Sequence, residues 1–205
     1  MKKTLLCNLK MKMRATKTIY VSEDKSIPVS STEVRYPVTG FFEKTLTKED
    51  DVTAILIVKR DENGETELNI RDCKDELDEM ARKTGARLQY KMIYTEYKET
   101  ISTHEKLFLD IIEALDENAH ITVDMTYGPK DLPIVLFGAL NFAEKYLNCD
   151  IDNIMYGQAD FIDGVATNTR ICEMAPLYYL NRITSTVDCG SSQEAKKMLD
   201  LILNR

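Results

Sequence analysis

Apolar and polar positions along this chain switch between two periods, and the switches mark out its elements. Thr4-Leu5-Leu6-Cys7-Asn8-Leu9 is a short continuous apolar run, the pattern of a strand buried on both faces. The runs Val52 to Val58 and Ile151 to Tyr156 read the same way, and Arg87 to Tyr94 and His120 to Asp124 read as two further strands. Between them the spacing opens to that of helices. Pro37 begins one through Phe41, Phe42 and Leu46, since proline's missing N–H is harmless in a first turn. Leu68 to Thr84 predicts a second, with Leu77, Met80 and Ala81 inward and Gly85 as its stop. Ser102-Thr103-His104-Glu105 has capping-box spacing before Leu107, Phe108, Ile111, Ile112 and Leu115. Leu132-Pro133 starts a fourth, with Val135, Leu136, Ala139, Leu140, Ala143 and Leu147 on one face.

Strands that alternate with helices predict a mainly parallel sheet covered on both faces, because parallel neighbours need crossover connections. Four segments do not fit that alternation. Thr18 to Val21 is a second β-prone piece after the basic stretch Lys10-Met11-Lys12-Met13-Arg14, and Ser26 to Arg35 is a polar excursion. Asp61-Glu62-Asn63-Gly64 reads as a turn, and Asp163-Gly164 joins Gln158 to Ile162 with Val165 to Cys172 as a hairpin. Pro176 then starts a helix through Leu177, Leu180 and Ile183, and Ser191 with Glu194 caps another containing Met198, Leu199, Ile202 and Leu203. The expected fold is an α/β, Rossmann-like, doubly wound sheet with a C-terminal β-hairpin and a short helical pair. Its division is residues 1–175 as the main domain and 176–205 as a helical extension.

Composition narrows the classes of function. The formal net charge of −7 opposes broad binding to long nucleic acid, which is held chiefly by Lys and Arg contacts to phosphates. A small anion in a locally positive pocket stays open. Cys7, Cys73, Cys149, Cys172 and Cys189 lie far apart without a Cys-x-x-Cys, and there are two histidines, so no metal site or disulfide framework is encoded. No window approaches the roughly 18 apolar residues that span a bilayer. The expectation is a cytoplasmic protein with no cofactor, no metal and no membrane partner.

Ligands of open α/β sheets bind beyond the carboxyl ends of the strands, where loops enter helix N-termini whose N–H groups favour anions. Two loops qualify. Asn8, Leu9, Lys10, Met11 and Lys12 follow the first strand, and Thr126, Tyr127, Gly128, Pro129 and Lys130 follow the His120 strand. In the second loop Gly128 permits close backbone approach, Lys130 offsets phosphate charge, and Tyr127 can stack on a base or hydrogen-bond a ribose. On local chemistry alone, a plain strand-to-helix turn with a solvated Lys130 is the commoner meaning of such a stretch. Lys10, Lys12 and Arg14 fit a solvated strand edge as well as a binding surface. Gly-x-Gly-x-x-Gly after the first strand, the P-loop and Gly-x-Ser-x-Gly are all absent. His104 and His120 read as partly exposed surface residues, and no residue presents itself as a general base.

The stretch Ile121-Thr122-Val123-Asp124-Met125-Thr126-Tyr127-Gly128-Pro129-Lys130-Asp131-Leu132-Pro133 resembles the Asp-x-Thr-His-Gly motif, with its trailing Leu-Pro, of one subgroup of CARF (CRISPR-associated Rossmann fold) proteins. Tyr36 to Leu46, Ile154-Met155-Tyr156-Gly157 and Met174-Ala175-Pro176-Leu177 are similar to successive blocks of that family. Two departures stand out: Tyr127 replaces the motif's His, and Pro129-Lys130-Asp131 replaces an aromatic-Arg-Ser run. Lys130 keeps the charge without a bidentate fork. The resemblance implies a homodimer whose motif loops meet on a two-fold axis and bind a cyclic oligoadenylate, tetra- before hexa-adenylate, in type III CRISPR antiviral signalling. It implies that Thr126 to Lys130 hold phosphates and riboses, with Asn8 to Lys12 opposite. Members usually carry an effector domain, here fused or separate. Two alternatives remain: a metal-independent ring nuclease that cleaves its own ligand, and, outside the family, a nucleotide- or phosphometabolite-binding enzyme.

Overall fold

The structure is a computed structural model that describes residues 1–59, 65–96, 98–162 and 165–203. It is α/β. Six strands, β1 (Lys2–Asn8), β2 (Asp51–Lys59), β3 (Arg87–Thr95), β4 (His120–Asp124), β5 (Asp150–Ile162) and β6 (Val165–Glu173), form one sheet in the order β3-β2-β1-β4-β5-β6. The first five run parallel, and β6 is antiparallel to β5. The helices are α1 (Pro37–Thr45), α2 (Glu65–Thr84), α3 (Ile101–Ala114), α4 (Leu132–Tyr146), α5 (Ala175–Thr186) and α6 (Ser192–Leu203).

The apolar runs at β1 and β2 are continuous because both faces of these central strands are covered. Leu5 and Cys7 of β1, with Val52, Ala54, Leu56 and Val58 of β2, join one core with Phe41 and Phe42 of α1 and Cys73, Leu77 and Met80 of α2. Side chains alternate across a pleat, so Leu6, Ile55 and Ile57, each at most 1% exposed, point to the other face. There α3 supplies Leu107 and Ile111, and α4 supplies Leu136, Ala139, Leu140 and Ala143, all buried. This is the doubly wound Rossmann-like arrangement.

Several local expectations change. Helix α2 begins at Glu65, three residues before the apolar period does, with Glu65 and Glu67 placed to complement the positive end of its dipole. The cap of α3 is Thr100, whose hydroxyl accepts from the Thr103 amide at 3.2 Å, so Ser102 lies inside the helix and the capping-box alignment was two residues late. Ile151 to Tyr156 and Gln158 to Ile162 are one continuous strand, β5, parallel to β4 in its first half and antiparallel to β6 in its second. Thr18 and Val21 make only isolated bridges, to Val34 and Arg170. The polar excursion is anchored: Ile27 is fully buried, and Val34 and Tyr36 join the α1 and α2 side of the core. The turns expected at Asp61 to Gly64 and at Asp163-Gly164 lie outside the described residues.

The chain divides into two compact units, Met1–Ala175 and Pro176–Arg205. In the second, the Ser191 hydroxyl accepts from the Glu194 amide at 3.2 Å and so caps α6, none of whose residues is buried. Among the described residues no helix is long and apolar enough to cross a membrane. All five cysteines are free, with Cys7, Cys73 and Cys149 buried.

Candidate functional site

Strand order reverses at β1, which pairs with β2 on one side and β4 on the other. The connections leaving β1 and β4 therefore part in opposite directions, and a crevice opens at their carboxyl ends. Cys7 pairs with Asp124 in register, so Asn8 and the segment after Asp124 meet there. The two loops that sequence singled out separately are neighbours.

Asp124 organises the loop from below. Its carboxylate is fully buried and accepts from the Thr126 amide at 3.0 Å and from the Val38 amide at 3.2 Å. Val38 is in the first turn of α1, whose own N-cap residue Tyr36 makes no side-chain cap. Asp124 thus caps α1 from another strand and ties that helix to the loop. Burial pushes its carboxyl above the usual range, and the bonds from Thr126 and Val38 oppose that. Thr126 accepts from the Gly157 amide at 2.8 Å, fixing the loop to β5. A Cβ on Gly157 would lie 2.6 Å from Pro37 Cγ and 3.0 Å from Thr126 Cγ2, which is why glycine occupies this crossing of β5, α1 and the loop.

Tyr127 is engaged within the protein. Its hydroxyl donates to the Arg35 carbonyl at 2.9 Å, and its ring meets Tyr36 edge-on at 5.4 Å between centroids. Burial raises the phenol's pKa, so it stays protonated. The exposed side of the ring carries Lys10, whose ammonium lies 5.6 Å from the centroid. Burial lowers the Lys10 pKa, with Glu65 opposing. Tyr127 therefore places a cation at the crevice rather than presenting a free hydroxyl to a ribose.

Gly128 has φ of +112°, and a Cβ there would lie 2.9 Å from Leu132 Cδ2. Only glycine meets both conditions. Pro129 accepts from the Leu132 amide and Asp131 accepts from Ile134 and Val135, so the first turn of α4 is largely satisfied internally. Among the described residues, the amides of Gly128 and Lys130 donate to no group, and Lys130 is exposed. Two free amides and an ammonium just before the N-terminus of α4 are donors of the kind that an anion requires. Gly128→Ala is expected to lower stability by about 1–2 kcal/mol through the strained φ. Chemical denaturation at unchanged m-value would show it.

The basic stretch splits by role. Asn69 of α2, fully buried, accepts from the Ala15 amide at 2.9 Å and donates to the carbonyls of Lys10 and Met13 at 2.9 and 3.0 Å. Arg14 is held bidentate by Asp72 at 2.6 and 2.8 Å, a structural use. The Leu9 side chain is in the core, and its amide extends the β1 ladder to Ile57 at 3.0 Å. Met11 is half-buried and Lys12 is exposed. Of the first-strand residues, Asn8 and Lys10 face the Thr126 to Lys130 loop.

One cluster escaped the sequence reading. Lys59 at the end of β2, Glu99, His104 in the first turn of α3 and Asp131 before α4 converge beside Lys130. Lys59, its side chain 3% exposed, pairs with Glu99 and lies 3.7 Å from Asp131. His104 Nε2 is 2.9 Å from Glu99 Oε2 and 3.0 Å from Asp131 Oδ2; the residue is partly exposed as expected, and these two carboxylates are what the sequence did not announce. Burial raises the Glu99 carboxyl, but Asp131, Lys59 and His104 outweigh it and hold the group at about 2. Glu99, His104 and Asp131 are residue types that can ligate a metal, and their donor atoms lie within 4.8 Å of one another. Lys59 already supplies the positive charge that a cation would bring. The available signal was positional: each residue follows an apolar strand or opens the next helix.

No protein-family model matches the chain, and no curated protein matches it.

Proposed function

We propose that this chain is a cytoplasmic, homodimeric sensor of a cyclic oligoadenylate, the tetra-adenylate ring before the hexa-adenylate, in type III CRISPR antiviral signalling. One observation carries the reading: the motif loop that resembles the CARF family stands at the switch point of the sheet. There Gly128 packs on Asn8, Lys10 lies over the Tyr127 ring, and the same loop carries two free amides and the exposed Lys130. A local cationic pair on a chain of net charge −7 favours a small polyanion over long RNA. A ring with internal symmetry suits two copies of one loop on a two-fold axis. An effector, fused or separate, would read the resulting change.

A second reading is favoured by the Lys59, Glu99, His104 and Asp131 cluster beside Lys130. In it the protein also opens the ring. A ribose 2′-hydroxyl attacks the adjacent phosphorus, the 5′-oxygen leaves with a proton, and a 2′,3′-cyclic phosphate remains. His104 and Lys59 are the titratable groups at hand for the proton transfers, and the loop amides would stabilise the developing charge.

One experiment addresses both. Purified protein is incubated with radiolabelled cyclic tetra- and hexa-adenylate in the presence of chelator, and retention and linear products are followed. Retention of the ring, weakened about 10-fold or more in Lys130→Ala, is the expected result. Lack of retention of either ring overturns the proposal. Retention without products over hours removes the ring nuclease alone.

A further inference from the structure

Asn8 ends β1 at the switch point, 1% exposed, and neither its Oδ1 nor its Nδ2 has a hydrogen-bond partner among the described residues. A buried primary amide with both functions idle is uncommon, because each unmet group forfeits its solvation without compensation. Its neighbour above is Gly128: a Cβ built on that residue would lie 3.6 Å from Asn8 Cβ and 3.7 Å from Asn8 Nδ2. The amide therefore lies against Gly128, the strained residue of the motif loop, whose own N–H donates to no group among the described residues. At Gly128 the cover is backbone without a side chain, and its N–H makes no hydrogen bond that would have to break for it to shift.

The chemistry of the idle pair selects among ligand groups. A phosphate offers acceptors only; it could meet Nδ2 but would leave Oδ1 facing like charge. A nucleobase edge offers a donor beside an acceptor. Adenine presents its 6-amino group next to N7, or next to N1, the complement of a primary amide. We propose that Asn8 is the base-reading residue of this site, and that it takes an adenine edge when the loop shifts at Gly128. The phosphates are left to Lys130 and the loop amides. The assignment rests on the cyclic oligoadenylate reading and adds to it a specificity-determining residue and a moving part.

Two consequences of opposite sign follow for Asn8→Leu, which keeps the size of the side chain and removes both polar atoms. Without ligand the variant no longer buries an unmet amide, and its Tm is expected to rise by about 2–4 °C. Its affinity for cyclic tetra-adenylate is expected to fall about 10-fold or more. The decisive measurement pairs that ring with an analogue carrying purine in place of adenine, which lacks the 6-amino donor. The wild-type protein should bind the analogue about 10-fold more weakly than the adenine ring, whereas Asn8→Leu should bind the two alike. A folded Asn8→Leu that binds the adenine ring like the wild type, or that keeps the wild-type preference between the rings, overturns the assignment and leaves the sensor reading standing. Failure of the wild-type protein to bind the adenine ring overturns the sensor reading itself, and the assignment with it.

Discussion

Asp124→Ala is expected to lower stability by about 3 kcal/mol, a fall in Tm of about 6–12 °C for a chain of this size. The carboxylate is fully buried and serves two amides on different elements, Thr126 at the loop and Val38 in the first turn of α1. Alanine leaves both N–H groups buried without an acceptor and opens a small void among Cys7, Pro37 and the loop. The damage is not confined to stability. Asp124 ties the motif loop to α1, so the loop should loosen, and hydrogen exchange at the bonded Thr126 and Gly157 amides should quicken more than at β3. Asp124→Asn, which keeps one acceptor, is expected to lose less. No loss in Asp124→Asn beside the full loss in Asp124→Ala would show that the bonds to Val38 and Thr126 contribute little and that only the space matters.

Lys59→Met is expected to cost about 2–3 kcal/mol at neutral pH, less than is usual for breaking a fully buried pair, because Glu99 is 42% exposed and screened by solvent. Methionine fills the volume of the lysine stem but leaves Glu99 and Asp131 facing each other with only His104 between them. The pH dependence separates this from simple packing. In the wild-type protein Glu99 is held at about 2, below its ordinary 4.5. A carboxyl depressed on folding contributes stability that is complete above its unfolded pKa and is lost as pH falls through the folded one. The contribution should therefore persist down to about pH 4.5 and disappear toward about pH 2. In Lys59→Met the Glu99 carboxyl returns toward its ordinary range, so the stability gap between the two proteins should shrink across that window. A gap that stays constant from pH 6 to pH 2 would assign the effect to packing.

Much of the architecture was legible in the periods of the sequence. A parallel strand buried on both faces leaves a continuous apolar run, and an amphipathic helix repeats near 3.6 residues; both are local consequences of covering a face, so β1, β2, β4, α3 and α4 could be read directly. Caps were less legible, because a hydroxyl three residues before an amide is a common spacing. Thr100 and Ser102 are equally plausible until the chain path chooses Thr100. The single strand β5 read as two, since its first half is buried against β4 and its second half pairs only with β6, and the two halves carry different patterns.

For the site the division is sharper. Gly128, Lys130 and the Leu132-Pro133 helix start are adjacent in sequence, and a glycine before a proline-started helix announces a tight strand-to-helix turn without further information. Sequence by itself determined that loop and the strands on either side. Tertiary structure alone decided what the loop meets. The β3-β2-β1-β4 order carries Lys59, Glu99 and His104 to Asp131, lays Lys10 over Tyr127, spends the Tyr127 hydroxyl on Arg35, and leaves the Asn8 amide idle under Gly128. The reason is one of range. Periodicity and turn chemistry act over a few residues, whereas these partners are tens of residues apart and are brought together only by crossovers that return each strand end to the same edge of the sheet.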